Sequence, residues 1–254
     1  MQHPQHILIT GASSGLGKAL ALAYAAPGIT LSLTGRDNGR LAAVKSACEA
    51  KGAEVGATTT DVRDVSTMAT FLQKRHAQKP IDLAIANAGI SAGTAGGHSE
   101  PSTQTSAIFA TNVQGVLNTL EPLIPLMSAH GKGQLAIVSS LAGFKGLPSA
   151  PAYCASKAAA RFIGEAWRPL LKPHNIQVNV ICPGFIKTRM TDVNDFPMPF
   201  LMTAPKAAVL IQRRLAANHA RIAFPWPLYF STWLLGLLPP AWLDAALGKL
   251  PGKR

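Results

Sequence analysis

The 254-residue chain predicts an α/β fold, a doubly wound parallel sheet with helices on both faces. Short apolar runs rich in Ile, Val and Leu alternate with helix-period segments along most of its length, the rhythm of a parallel sheet joined by right-handed crossovers. The runs are continuous rather than alternating, as strands covered on both faces are. A glycine-rich turn, Thr10-Gly11-Ala12-Ser13-Ser14-Gly15-Leu16-Gly17, separates the first run from the first helical segment.

In chain order, strands are expected at His6–Thr10, Ile29–Gly35, Ala53–Thr60, Ile81–Asn87, Gln134–Ser140 and Ile176–Cys182, with a last one at Arg221–Phe224. Helices are expected between them at Gly17–Ala26, Gly39–Lys51, Ser66–Gln78, Thr103–His130 and Ala152–Lys172. Two stretches break the rhythm. Ile90–Ser102 is a Gly/Ser/Thr loop suited to bordering a ligand, and Thr188–Pro205 contains the apolar run Phe196-Pro197-Met198-Pro199-Phe200-Leu201-Met202. A long loop in a compact domain is usually a lid or binding loop. An apolar one fits a hydrophobic substrate, and a core plug or subunit contact is the competing reading. No repeat or linker interrupts residues 1–225, which read as one nucleotide-binding domain followed by an apolar tail, 226–254.

Hydrophobic residues make up 48% and charged ones 14%, which excludes a disordered chain. Cys48, Cys154 and Cys182 have no CxxC spacing, so neither a disulfide framework nor a metal site is expected; buried thiols in a reducing cytosol fit. The first strand begins within a few residues of Met1, with no secretory leader expected. The net charge of +12 can serve nucleic acid, anionic lipid, an anionic cofactor or a merely solvated surface. No nucleic-acid motif accompanies it, so nucleic acid ranks last.

The glycine turn lets the backbone approach a pyrophosphate, which the following helix N-terminus attracts. Its spacing is GxxxGxG rather than the commoner GxGxxG. Tyr153 and Lys157 stand four residues apart, so both project from one helical face. A tyrosine hydroxyl titrates near 10 and is a poor acid or base at neutrality; a nearby ammonium favours the phenolate and brings it into range. Ser140 ends the run Leu135-Ala136-Ile137-Val138-Ser139-Ser140, at the carboxyl edge where open sheets place their ligands.

The turn, Asn87-Ala88-Gly89, Asn112, Ser140, Tyr153-Cys154-Ala155-Ser156-Lys157 and Pro183-Gly184 appear in an order and spacing that resembles the short-chain dehydrogenases/reductases, in their single-domain Rossmann-like branch, over roughly residues 5–225. In that family the serine stands thirteen residues before the tyrosine, which selects Ser140. Ser139 then faces the other side of the strand as a structural hydroxyl. The resemblance implies that Tyr153 passes the proton to or from a carbonyl oxygen. Lys157 lowers the tyrosine pKa and bonds the nicotinamide ribose. Ser140 holds the substrate oxygen, and Asn112 steadies a water that links Lys157 to solvent. It also implies a cofactor cradle of Gly11, Ser13, Ser14, Gly15, Leu16 and Gly17. Asn87, Ala88 and Gly89 flank the ribose, Asp61 and Val62 contact adenine, and Pro183, Gly184, Ile186 and Thr188 wrap the nicotinamide. For Asp61, helix capping is a competing role.

The family's acidic position at the end of the second strand holds Gly35, and Arg36 follows. An arginine fork suits a 2′-phosphate, so NADP(H) is the expected cofactor; Asp37 reaches the ribose if the register shifts by one. The expected reaction is hydride transfer between NADP(H) and a carbonyl or secondary alcohol of a hydrophobic substrate. A non-catalytic cofactor-binding or membrane-associated scaffold is the competing reading. The helices Thr103–His130 and Ala152–Lys172 flank the face through which family members pair, so a homo-oligomer, dimer or tetramer, is expected.

The tail carries three of the four tryptophans and no charge between Arg221 and Asp244. Its apolar stretch is shorter than the roughly 20 residues a bilayer span needs. Three readings stay open: a lipid-facing element with Trp226, Phe230, Trp233 and Leu237 on one face and Lys249, Lys253 and Arg254 meeting anionic lipid, a helix folded over the site, or a subunit contact. Pro225, Pro227, Pro239 and Pro240 are expected to interrupt any continuous helix.

Overall fold

The computed structural model describes residues 3–247; Lys249, Lys253 and Arg254 lie outside them. The chain starts in the middle of the sheet, with strand β1 (His6–Ile9), helix α1 (Gly15–Tyr24), strand β2 (Thr30–Gly35), helix α2 (Asn38–Glu49) and strand β3 (Glu54–Thr59) building outward to one edge. Helix α3 (Val65–Gln78) then crosses back to β4 (Leu83–Ala86), on the other side of β1. Helices α4 (Ser102–Phe109), α5 (Gly115–Leu120) and α6 (Leu123–His130) lead to β5 (Gly133–Val138), and α7 (Pro151–Leu171) to β6 (Ile176–Pro183). After a short ladder of β7 (Ile186–Lys187) with β8 (Met202–Thr203), α8 (Ala204–Ala216) brings the chain to β9 (Arg221–Phe224). The main sheet is parallel throughout, in the order β3-β2-β1-β4-β5-β6-β9.

Alternation along each strand divides the core in two. Ile7 and Ile9 of β1 face α1, α2 and α8, while Leu8 faces α3, α5, α6 and α7. Both faces are apolar, which is why the strands read as unbroken hydrophobic runs. The order of strands reverses between β1 and β4, and the loops after these two strands part to leave a crevice at their carboxyl ends. The three cysteines are buried and unbridged.

The structure changes the sequence-based boundaries in three places. The single helix expected over Thr103–His130 is broken. It passes through a π-helical turn, Ala110–Gln114, and stops at Glu121-Pro122, where proline has no N–H to continue the ladder. Helix α8 was not anticipated; it buries Ala207, Ala208, Ile211 and Leu215 against the α1 side of the core. In the tail, Pro225 and Pro227 do not break the helix. They sit at the entry of α9 (Trp226–Leu237), where an N–H has no intrahelical partner anyway. Pro239 and Pro240 separate α9 from α10 (Pro240–Leu247).

Candidate active site

A cleft of about 660 Å³ opens at the carboxyl ends of the strands. Its floor is the turn between β1 and α1. An added Cβ at Gly11, whose φ is +65°, would lie 2.8 Å from the Ala88 Cα, so only glycine lets this turn pass under the loop after β4. That loop holds the turn in place: the Asn87 Nδ2 donates to the Thr10 carbonyl at 2.9 Å, and the Thr10 hydroxyl accepts from the Asn87 and Ala88 N–H groups. Gly11, Ser13, Ser14, Gly15 and Leu16 line the cleft together with Asn87, Ala88 and Gly89. Gly17 does not line it; it packs behind the turn against the Gly11 carbonyl and Asn87.

Tyr153, Ser140 and Lys157 meet in the middle of the cleft. Ser140 follows β5 and caps the single turn Leu141–Gly143, its hydroxyl accepting from the Ala142 N–H at 3.1 Å. The Tyr153 and Ser140 hydroxyls are hydrogen-bonded to each other. Burial raises the tyrosine pKa, and the bond to Ser140 opposes that rise. Lys157 lies one helical turn on, its Nζ 5.9 Å from the Tyr153 ring centre and donating to the Val138 carbonyl at 2.9 Å. Burial lowers its pKa to about 8. Burial thus sets the direction at Tyr153 in this arrangement, and the bond that opposes it comes from Ser140, where the family resemblance implies a lowering by Lys157. Ser139 also borders the cleft, but its hydroxyl donates to the Lys157 carbonyl at 2.6 Å and ties β5 to α7.

Asn112 sits in the π-helical turn, wholly buried behind the cleft wall. Its amide brackets Ile90, accepting from the Ile90 N–H at 2.8 Å and donating to the Ile90 carbonyl at 2.9 Å and to the Ser156 hydroxyl at 3.0 Å. A Cβ at Gly89 would come within 3.2 Å of the Asn112 Oδ1 and 3.3 Å of the Lys157 Nζ, so glycine lets both groups reach the same spot. Ser156 escaped the sequence reading, although it lies inside the Tyr153–Lys157 motif and holds Asn112 to α7.

At the β2 end, Arg36 is exposed and lines the cleft beside Arg40, which the sequence reading did not single out. Asp37 lines the cleft as well and caps α2, accepting from the Arg40 N–H at 2.8 Å and pairing with the Arg40 guanidinium at 2.8 Å. The Asx cap with arginine three residues on was the available signal. A Cβ at Gly35 would touch Ser13 at 3.0 Å, so the space an acidic side chain needs there is taken. The Thr34 and Thr60 hydroxyls are buried on this wall without a partner among the described residues. Asp61 lines the cleft held by Arg63 through bonds of 2.7 to 3.1 Å, which lower its pKa. The cap of α3 is Asp64 instead. Val62 lines the same wall.

Pro183, Gly184, Ile186 and Thr188 close the other side, and beyond them the cleft becomes apolar: Leu141, Leu147, Phe185, Met190, Phe196 and, from the tail, Leu228. The tail residues Leu228 and Thr232 were not among the sequence candidates.

The arrangement is a glycine turn at the floor of a cleft, a hydroxyl pair beside a buried lysine, and an apolar end. The short chain dehydrogenase family matches residues 5–196, and the chain belongs to that family, whose members are oxidoreductases. It is 37% identical over 244 residues, 96% of both chains, to an uncharacterized oxidoreductase of Myxococcus xanthus. It is 34% identical over 215 residues to the ketoacyl reductase HetN of a Nostoc species, covering 84% of this chain and 72% of that protein. A solved short chain dehydrogenase/reductase from Burkholderia phymatum, in complex with NAD, matches with a TM-score of 0.84 at 23% identity over 100% of this chain and 98% of its own, a likeness of fold.

Proposed function

We propose that the chain is an NADP(H)-dependent reductase or dehydrogenase that interconverts a carbonyl and a secondary alcohol on a hydrophobic, lipid-like substrate. The observation that carries this reading is the Ser140–Tyr153 hydroxyl pair beside buried Lys157, open to an apolar cleft. Tyr153 gives its proton to the carbonyl oxygen in reduction and takes it back in oxidation. The Ser140 hydroxyl fixes the same oxygen and bears part of the charge that develops on it. The Lys157 ammonium stabilises the phenolate left behind, and Asn112, tied to Ile90 and to Ser156 of α7, would steady a water through which Lys157 is reprotonated from solvent.

The residues present fit a phosphorylated dinucleotide. A Cβ would fill the Gly11 cradle, two orphaned threonine hydroxyls line the far wall, and Arg36 brings positive charge there, while the Arg40 guanidinium is held by Asp37. Bound NADP(H) would supply or accept the hydride. Removing Arg36 takes away a charge-assisted contact of about 1.5–3 kcal/mol. Arg36→Ala should therefore weaken NADPH binding by about 10- to 150-fold and NADH binding hardly at all, as read by fluorescence titration. Equal losses, or a wild type that prefers NADH, would refute the assignment. The apolar lining, and the ketoacyl substrate class named for the Nostoc relative, support a substrate with a hydrocarbon chain. Turnover of a ketone series followed by NADPH absorbance tests it.

The exposed Phe109 of α4 and Phe162 and Leu170 of α7 support pairing through these helices. Light scattering should give a dimer or tetramer at micromolar concentration; a monomer would end that proposal. The apolar tail, 226–254, supports a cytoplasmic enzyme that touches a membrane peripherally. None of the helices among the described residues is long and apolar enough to cross one.

A further inference from the structure

We propose that α9 makes the lip of the cleft a lipid-docking surface, through which the enzyme takes its substrate from an anionic lipid layer rather than from water. The proposal rests on the reading of the cleft as a site of carbonyl reduction, and it concerns how substrate reaches that site.

Helix α9 has two apolar faces with different fates. The inner face belongs to the site: Leu228 and Thr232 line the cleft, and Tyr229 packs edge-on against Phe144 at 5.4 Å while its hydroxyl accepts from the Arg221 guanidinium at 3.1 Å. The backbone of Gly236 passes against the Phe144 carbonyl, at the end of the turn that begins at Ser140. The helix is thereby held to the segment that carries the serine.

The outer face is the stripe Trp226, Phe230, Trp233 and Leu237, at the spacing of a single helical side. Trp226 is 71% and Leu237 63% exposed. The three rings of the stripe follow one another along the helix in tilted contact, at 6.4 and 6.0 Å between centres. The opposite lip repeats this division: Phe196 and Pro199 line the cleft, while Phe200 and Leu201 are exposed. Apolar surface of this kind concentrated around a ligand cleft marks an interaction site.

Three further observations select lipid as the occupant. No charged residue stands between Arg221 and Asp244, and the exposed tryptophans there are the amphipathic type that settles at a membrane interface. The 12-residue α9 is about 18 Å long, which suits lying in the interface and not spanning it. The charge is complementary: the chain carries +12, and Lys145 and Arg189, which line the same cleft, form no ion pair among the described residues.

The test compares the wild type with Trp226→Ser/Phe230→Ser/Trp233→Ser, and with Trp226→Ser alone should the triple variant unfold at a lower temperature. Each protein is sedimented with vesicles of phosphatidylglycerol or of phosphatidylcholine, at low and high salt. Turnover is measured on a short water-soluble ketone and on a long-chain ketone dissolved in the vesicles. The expected result is salt-sensitive binding of the wild type to the anionic vesicles only. The variant should lose that binding and more than about tenfold of its rate on the vesicle-borne ketone, with the soluble ketone unaffected. A wild type that stays in the supernatant overturns the proposal. So does a variant that keeps its rate on the vesicle-borne ketone, or one that changes only in oligomeric state by light scattering, which would assign the face to a second copy of the chain. If no ketone is turned over by any form, the reductase reading fails instead, and sedimentation still decides the docking.

Discussion

Tyr153→Phe should lower turnover by about 10²- to 10⁴-fold, the usual worth of a positioned acid or base, while leaving cofactor affinity close to that of the wild type. The ring of Tyr153 keeps its place on α7, since phenylalanine fills the same volume. What disappears is the hydroxyl that is bonded to Ser140 and that is proposed to hand its proton directly to the carbonyl oxygen. Ser140→Ala removes the other half of the pair and should lower the rate without changing the cofactor's titration. Steady-state assays with a substrate the wild type accepts, paired with cofactor titration by fluorescence, check both. A rate for Tyr153→Phe within a few-fold of the wild type would take the proton transfer away from this residue.

The second large effect joins activity to stability. Lys157 is buried, and its ammonium pKa falls from the ordinary 10.5 to about 8 in the folded protein. A lowered lysine pKa means the fold penalises the charged form. That penalty is fully present below about pH 8 and is relieved as pH rises from there towards 10.5. At 1.36 kcal/mol per tenfold change in proton affinity, it amounts to about 3 kcal/mol. Lys157→Met should remove it and lose the bond to the Val138 carbonyl, worth about 1 kcal/mol. The net gain of about 2 kcal/mol corresponds to a melting temperature higher by about 4–8 °C for a chain of this size. The same variant should be inactive. The difference in stability should also shrink as pH is raised from neutral to about 10, because only the wild type recovers its penalty. Thermal unfolding of both proteins across that pH range is the check. A destabilised Lys157→Met would show that the lysine's packing and bonds outweigh its desolvation.

Much of the fold is legible in the sequence because a parallel sheet covered on both faces leaves unbroken apolar runs. Leu31 and Leu33 on one side of β2, and the strand's complete burial, are visible as Ile29–Gly35 without any tertiary information. Strand ends differ by a residue or two, where ladders fray. Helix α8 escaped because its buried stripe begins with Ala207 and Ala208, which contrast weakly with their neighbours, and because Arg213 and Arg214 end it with charge. The break in the helix expected over Thr103–His130 was present in the sequence as Pro122. The π-helical turn at Asn112 was not, since an added residue in a helix has no compositional mark.

The candidate site was legible wherever spacing encodes geometry. Tyr153 and Lys157 share a helical face, and Ser140 sits at a strand end, so sequence distance sets their separation in space. Arg40, Thr34, Thr60 and Leu228 enter the cleft through tertiary folding instead. The tail shows the same limit. Its composition left a lid, a lipid-facing element and a subunit contact open, and the structure turns Leu228 into the cleft and leaves Trp226 exposed.

The most direct test of the account is the specificity of the wild-type enzyme for cofactor and chain length. Initial rates of NADPH and NADH oxidation should be measured with a homologous series of ketones. The account predicts a kcat/KM for NADPH above that for NADH by about 10- to 150-fold, the equivalent of one charge-assisted contact. It also predicts a kcat/KM that rises by up to about fourfold for each added methylene that enters the apolar end, in line with about 0.8 kcal/mol per buried CH₂. Preference for NADH, or rates indifferent to chain length, would contradict it.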